Sequence, residues 1–182
     1  MKSRRAAMEM SVGTIVTIVL LMSVLVLGIF LINRISGVAR GAIDMTEKQL
    51  YNQLKKLYDA NEDQKIIIYP DGGLLDIKKG KSDGFGLIIN NRLETDESFS
   101  YEITLADKGT CAMDEEEIMN LITLGKTRES IDVASGSILS SPLRINFAIP
   151  ETAKLCQVLY RIEVSTSDST PYDGADLQLT IK

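Results

Sequence analysis

From Ser11 to Ile32 the chain runs SVGTIVTIVLLMSVLVLGIFLI without a charge or a proline. A helix over these 22 residues rises about 33 Å at 1.5 Å per residue, enough for a hydrocarbon core of about 30 Å. A cleaved secretory signal has a shorter apolar core, about 7–15 residues, and a small-residue cleavage site after it. Here the run passes into NRISGVARG with no such site. A globular helix of this length would carry charge on its outer face. The run therefore predicts a transmembrane helix over 11–32. Lys2, Arg4 and Arg5 precede it and Arg34 and Arg40 follow. The short basic flank orients it as a single-pass membrane protein, with residues 1–10 as a cytoplasmic leader and the C-terminal domain extracellular.

Charge divides along the same line. Residues 1–61 sum to +4 and residues 62–182 to -9, giving the net -5. An acidic C-terminal part argues against a nucleic-acid partner, which needs a basic face. It fits a domain held away from an anionic membrane surface. There is no histidine, so imidazole is absent as base, nucleophile partner or metal ligand. Cys111 and Cys156 are the only cysteines, both in the acidic part. Outside the cytoplasm such a pair reads as one disulfide, the alternative being two buried thiols.

After the apolar run, ISGVARGAIDMTEKQLYNQLKKLYDAN reads as continuing helix. Ile43, Leu50 and Leu57 recur every seven residues with Leu54 on the same face, and Lys48, Lys55, Lys56 and Asp59 point away. Residues 33–63 are thus an amphipathic helical stalk. From Lys65 the period changes from 3.6 to 2. KIIIYP, FGLIINNRL, SFSYEITL, LRINFAIP, QVLYRIEVSTS and DLQLTIK read as short strands between turns. MDEEEIMNLITLG, 113–125, reads as a short helix with Asp114 and Glu117 in a capping box. The expected fold class is α+β: a long N-terminal helix, transmembrane plus amphipathic, followed by an Ig-like antiparallel β-sandwich over 64–182.

The N-terminal third, about residues 1–60, resembles the archaeal type IV pilin-like proteins. The resemblance rests on SRRAAMEMSVGTIV: the basic pair Arg4 and Arg5, then Ala6 and Ala7, then the apolar helix. It departs from the family at Ala6, where glycine is more usual, and at Glu9, which comes early. The resemblance implies a prepilin-type peptidase as partner, cutting after a small residue behind the basic pair, so Arg5, Ala6 and Ala7 are the leader-processing candidates. It also implies helix assembly through Ile15, Val16, Ile18, Leu20, Leu21, Val24, Leu25 and Ile29.

No motif asks for a cofactor or metal. The acidic run DEEE, 114–117, does not converge on one point as a calcium site must. DGG lacks the lysine and helix of a phosphate loop. Serines without histidine exclude a Ser-His-Asp triad. The chain reads as non-enzymatic: a cell-surface structural protein, a pilin-like subunit that forms a homo-oligomer or surface filament. The alternative is an uncleaved single-pass anchor that presents its sandwich to an envelope protein partner.

Overall fold

The computed structural model describes the backbone of residues 3–36 and 42–182, and the side chains of residues 13–29, 42 and 44–182. The chain divides into two units, Met1–Ala39 and Arg40–Lys182.

The first unit holds helix α1, Ser3–Ser36. No helix among the described residues is long and apolar enough to cross a membrane. This overturns the expected transmembrane helix. It also overturns the expected localisation, a single-pass membrane protein with a cytoplasmic N-terminus and an extracellular C-terminal domain.

The continuous helix is not found either. A 3-10 turn at Ala42–Asp44 precedes helix α2, Glu47–Ala60, which starts afresh. Its capping box sets that start: Gln49 N–H donates to Thr46 Oγ1 at 3.3 Å, and Thr46 N–H donates to Gln49 Oε1 at 3.0 Å. The amphipathic pattern is real, but its apolar face lies on a sheet instead of running along a stalk. Leu50 and Leu54 are fully buried with Ile67, Ile88 and Ala42.

That sheet is the four-stranded one, in the order β1 (Ile66–Tyr69), β3 (Ser82–Ile89), β7 (Leu143–Ala148), β5 (Ile122–Leu124). The second sheet has the order β2 (Leu74–Ile77), β9 (Pro171–Ile181), β8 (Cys156–Ser165), β4 (Glu97–Asp107), β6 (Thr127–Val133). Alternation decides which side chains close the interior. Val158, Tyr160, Ile162 and Val164 of β8 point inward, as do Leu177, Leu179 and Ile181 of β9 and Leu143, Ile145 and Phe147 of β7. Phe147 sits between Phe85 on its own sheet, at 5.8 Å, and Tyr160 on the other, at 5.3 Å. The unit is thus three layers: α2, the four-stranded sheet and the five-stranded sheet.

The fold is therefore mostly β, not α+β, because the core is the space between two sheets and the helices of this unit pack around it. Nor is the sandwich wholly antiparallel. β2 pairs in parallel with β9. Between β4 and β7 the chain visits the four-stranded sheet at β5 and returns to the five-stranded sheet at β6. The helix read over 113–125 is also shorter. α3 covers Glu115–Asn120 behind the Asp114–Glu117 capping box, and Ile122–Leu124 is strand.

Candidate functional site

α1 carries most of the exposed large apolar side chains among the described residues. Ile15, Val16, Ile18, Leu20, Leu21, Val24, Leu25 and Ile29 are between 50% and 69% exposed, and so are Val19, Met22, Val26 and Leu27. At about 100° per residue these positions cover the whole circumference. The polar residues do not interrupt it. Thr17 Oγ1 donates to Gly13 O at 2.7 Å and to Thr14 O at 3.0 Å, and Ser23 Oγ donates to Val19 O at 2.8 Å. Each hydroxyl is satisfied within the helix, so the surface asks for an apolar neighbour on every side. Arg5, Ala6 and Ala7 lie on the helical backbone of α1, but their side chains are outside the described residues.

Cys111 and Cys156 form the disulfide across 45 positions of sequence. It joins the segment before α3 to the start of β8, and both cysteines are buried. Beside it lies a recess of about 440 Å³, lined by Met113, Glu117, Leu121, Pro150, Thr152 and Lys154 among others. Nothing in that lining pairs a nucleophile with a base. No group of three or more His, Cys, Asp or Glu among the described residues is placed to hold a metal.

Several positioning residues carry no sequence motif. Arg144 donates to Met45 O at 2.6 Å and the Ser141 hydroxyl donates to Glu47, which clamps the start of α2 to the sheet. Asn90 Nδ2 donates to Gln64 O at 2.9 Å and Glu62 O at 3.2 Å, fixing the turn from α2 into β1. The neighbouring Asn91 is fully buried and donates to Val133 O and Thr95 O, both at 2.9 Å. Apart from Asn91 to Thr95, these contacts link residues far apart in sequence, so no local pattern marks them. The Thr46 cap is different: TEKQ is a legible capping-box signal ahead of the apolar stripe.

Burial pushes the Tyr160 phenol far above its ordinary value. Burial also raises Tyr101, with the Arg128 charge pulling the other way. The Ser167 side chain and backbone hold the Glu97 carboxyl below its ordinary value, and the Thr166 and Thr170 hydroxyls do the same for Asp168. Both carboxylates brace the β8–β9 turn.

No family model and no curated protein matches the sequence. Among solved structures, the chain is similar to a family 123 glycoside hydrolase from Clostridium perfringens, at TM-score 0.46 and 13% identity over 71% of this chain and 25% of that one. It is similar to the E. coli chaperone DraB at TM-score 0.36 and 14% identity, over 64% of this chain and 54% of that one. It is similar to MyfA, the major subunit of Myf fimbriae from Yersinia enterocolitica, at TM-score 0.34 and 11% identity, over 64% of this chain and 98% of that one. The chain spans about a quarter of the first of these and about half of the second. Likeness at this level assigns neither descent nor activity.

Proposed function

We propose that this chain is a structural subunit of the type IV pilin-like kind, which assembles with further copies through α1. The observation that carries this reading is the all-round exposed apolar surface of α1, with its hydroxyls tied back into the helix. Burying a Val, Leu or Ile side chain stabilises by about 1.5–3 kcal/mol relative to leaving it in water. A helix with apolar side chains on every face is a core element that lacks its core. Like helices from other copies supply one, packing Val24, Leu21 and Leu25 against their counterparts. The sandwich has its own core closed and contributes polar surface. On this reading the role is architectural and needs no catalytic group or cofactor. Removal of the leader behind Ala6 would take Lys2, Arg4 and Arg5 out of the bundle, where unpaired charge is costly.

The test is the size of the full-length chain after detergent is removed, by light scattering and negative-stain electron microscopy. Wild type is expected to form large assemblies. Val24→Arg is expected to stay dispersed while its sandwich melts as in wild type. A monodisperse wild-type monomer would overturn the reading.

A further inference from the structure

The described residues hold few oxidisable sulfurs. Cys111 and Cys156 are joined and leave no free thiol. Met45, Met113 and Met119 are half-buried and pack against the two cores of the second unit. Met22 is different. It stands near the middle of α1 and is 67% exposed. A mild oxidant therefore reaches this thioether first among the described side chains.

Its surroundings decide what oxidation does there. Ile18, Val19, Leu25 and Val26 lie three and four positions away on the same face, and all are exposed and apolar. Among the described residues no side-chain donor is free beside it. The Ser23 hydroxyl is spent on Val19 O at 2.8 Å, and the Thr17 hydroxyl on Gly13 O and Thr14 O. The helix backbone uses its own N–H groups on carbonyls one turn back. As a thioether, Met22 is a flexible apolar side chain suited to packing against other apolar helices. As a sulfoxide it carries a polar acceptor. Water satisfies that oxygen on a separate chain. An apolar bundle of α1 helices does not, because each neighbouring copy brings the same donor-free surface.

We propose that Met22 is an oxidation site that switches assembly through α1, with a hydroperoxide as the oxidant. The Met22 sulfur attacks one peroxide oxygen. An S–O bond forms and the O–O bond breaks. The sulfur loses two electrons, and the second peroxide oxygen leaves as water (or as an alcohol from an organic hydroperoxide). The product favours the dispersed chain, because its new oxygen is solvated there and stranded in the bundle. Reduction of the sulfoxide restores the apolar side chain and with it assembly. This rests on the proposed assembly through α1. The sandwich stands outside the switch, since it belongs to the other unit and its cysteines are already oxidised.

The test uses the full-length chain, wild type and Met22→Leu, treated in detergent with hydrogen peroxide and then quenched with catalase. Peptide mapping by mass spectrometry reads the gain of oxygen at each methionine, and light scattering after detergent removal reads assembly. Oxidised wild type is expected to need a chain concentration about tenfold higher to assemble, the factor that a stranded acceptor imposes. Its sandwich should melt as before. Methionine sulfoxide reductases for both sulfur epimers should return assembly to the untreated level. Met22→Leu is expected to assemble alike with and without peroxide. It keeps Met1, Met8 and Met10, whose side chains lie outside the described residues. Dispersal of peroxide-treated Met22→Leu would therefore put the effect on another methionine and overturn the inference. Unchanged assembly of wild type after full conversion of Met22 would overturn it too, and leave assembly through α1 standing. Untreated wild type and Met22→Leu that both stay monomeric would overturn the proposed assembly itself, and this switch with it.

Discussion

A methyl group at Gly86 would meet Leu50 Cδ1 at 2.5 Å. That single position shows how closely α2 lies on β3. Leu50 is fully buried and has nowhere to swing, so Gly86→Ala is expected to lift α2 and destabilise the unit by about 1–3 kcal/mol. Chemical denaturation measures this, and loss of protection at the α2 amides locates it. Tyr160 sets an alkaline limit. Its hydroxyl donates to Ile118 O at 2.8 Å inside the core, and burial raises its pKa. A group whose pKa is raised on folding contributes stability below its unfolded value and loses it as pH rises towards the folded one. Stability is therefore expected to decline above about pH 10. Tyr160→Phe should lessen that decline, Tyr101 keeping its share, at a cost of about 1 kcal/mol for the lost hydrogen bond; melts across pH 8–11 check both. Glu97 and Asp168 have the opposite sign. Their pKa values are lowered in the folded chain, so their bracing of residues 166–170 is present at neutral pH and lost on acidification below about pH 4. Faster hydrogen exchange at the Ser167 and Thr170 amides would report it.

At the scale of elements, a disulfide ties the segment before α3 to β8, and a cap starts α2. The disulfide closes a span of 45 positions, for which the chain-entropy estimate is about 4 kcal/mol. Cys111→Ser with Cys156→Ser is expected to lower stability by that order, measured by denaturation with and without reductant. The Thr46 cap starts α2, and Thr46→Ala is expected to cost about 1 kcal/mol. Helix content lost before the sandwich melts would show that the cost falls on α2. Strands with strict alternation were legible: Val158, Tyr160, Ile162 and Val164 turn inward as their spacing says. β6 was not, because TRESIDV is an edge strand with four exposed residues in a row and only Ile131 and Val133 inward. A strand that buries so little leaves no periodic mark.

The whole molecule reads as a closed sandwich unit and an apolar helix with no core of its own. If copies assemble through α1, Val24→Arg disperses them without touching the sandwich, because the two belong to separate units. Melting and particle size should thus move independently across variants of the two parts.

The sequence by itself determined which side chains are apolar and at what period. That was enough for the amphipathic face of α2, the strand-rich C-terminal part and the Asp114–Glu117 cap, while the disulfide between Cys111 and Cys156 was one of two readings until the structure joined them. It could not determine where an apolar face is spent. The stripe through Leu50 and Leu54 looks the same whether it lines a stalk or covers a sheet, since periodicity fixes direction around the helix axis and not the neighbour. Only the tertiary structure placed it over Gly86, Ile67 and Ile88. Strand order is likewise a matter of distant partners. The parallel β2–β9 pair and the excursion through β5 join residues far apart in the chain. The inward set on each strand is local, while the choice of neighbour is made by closing one interior from both sheets at once.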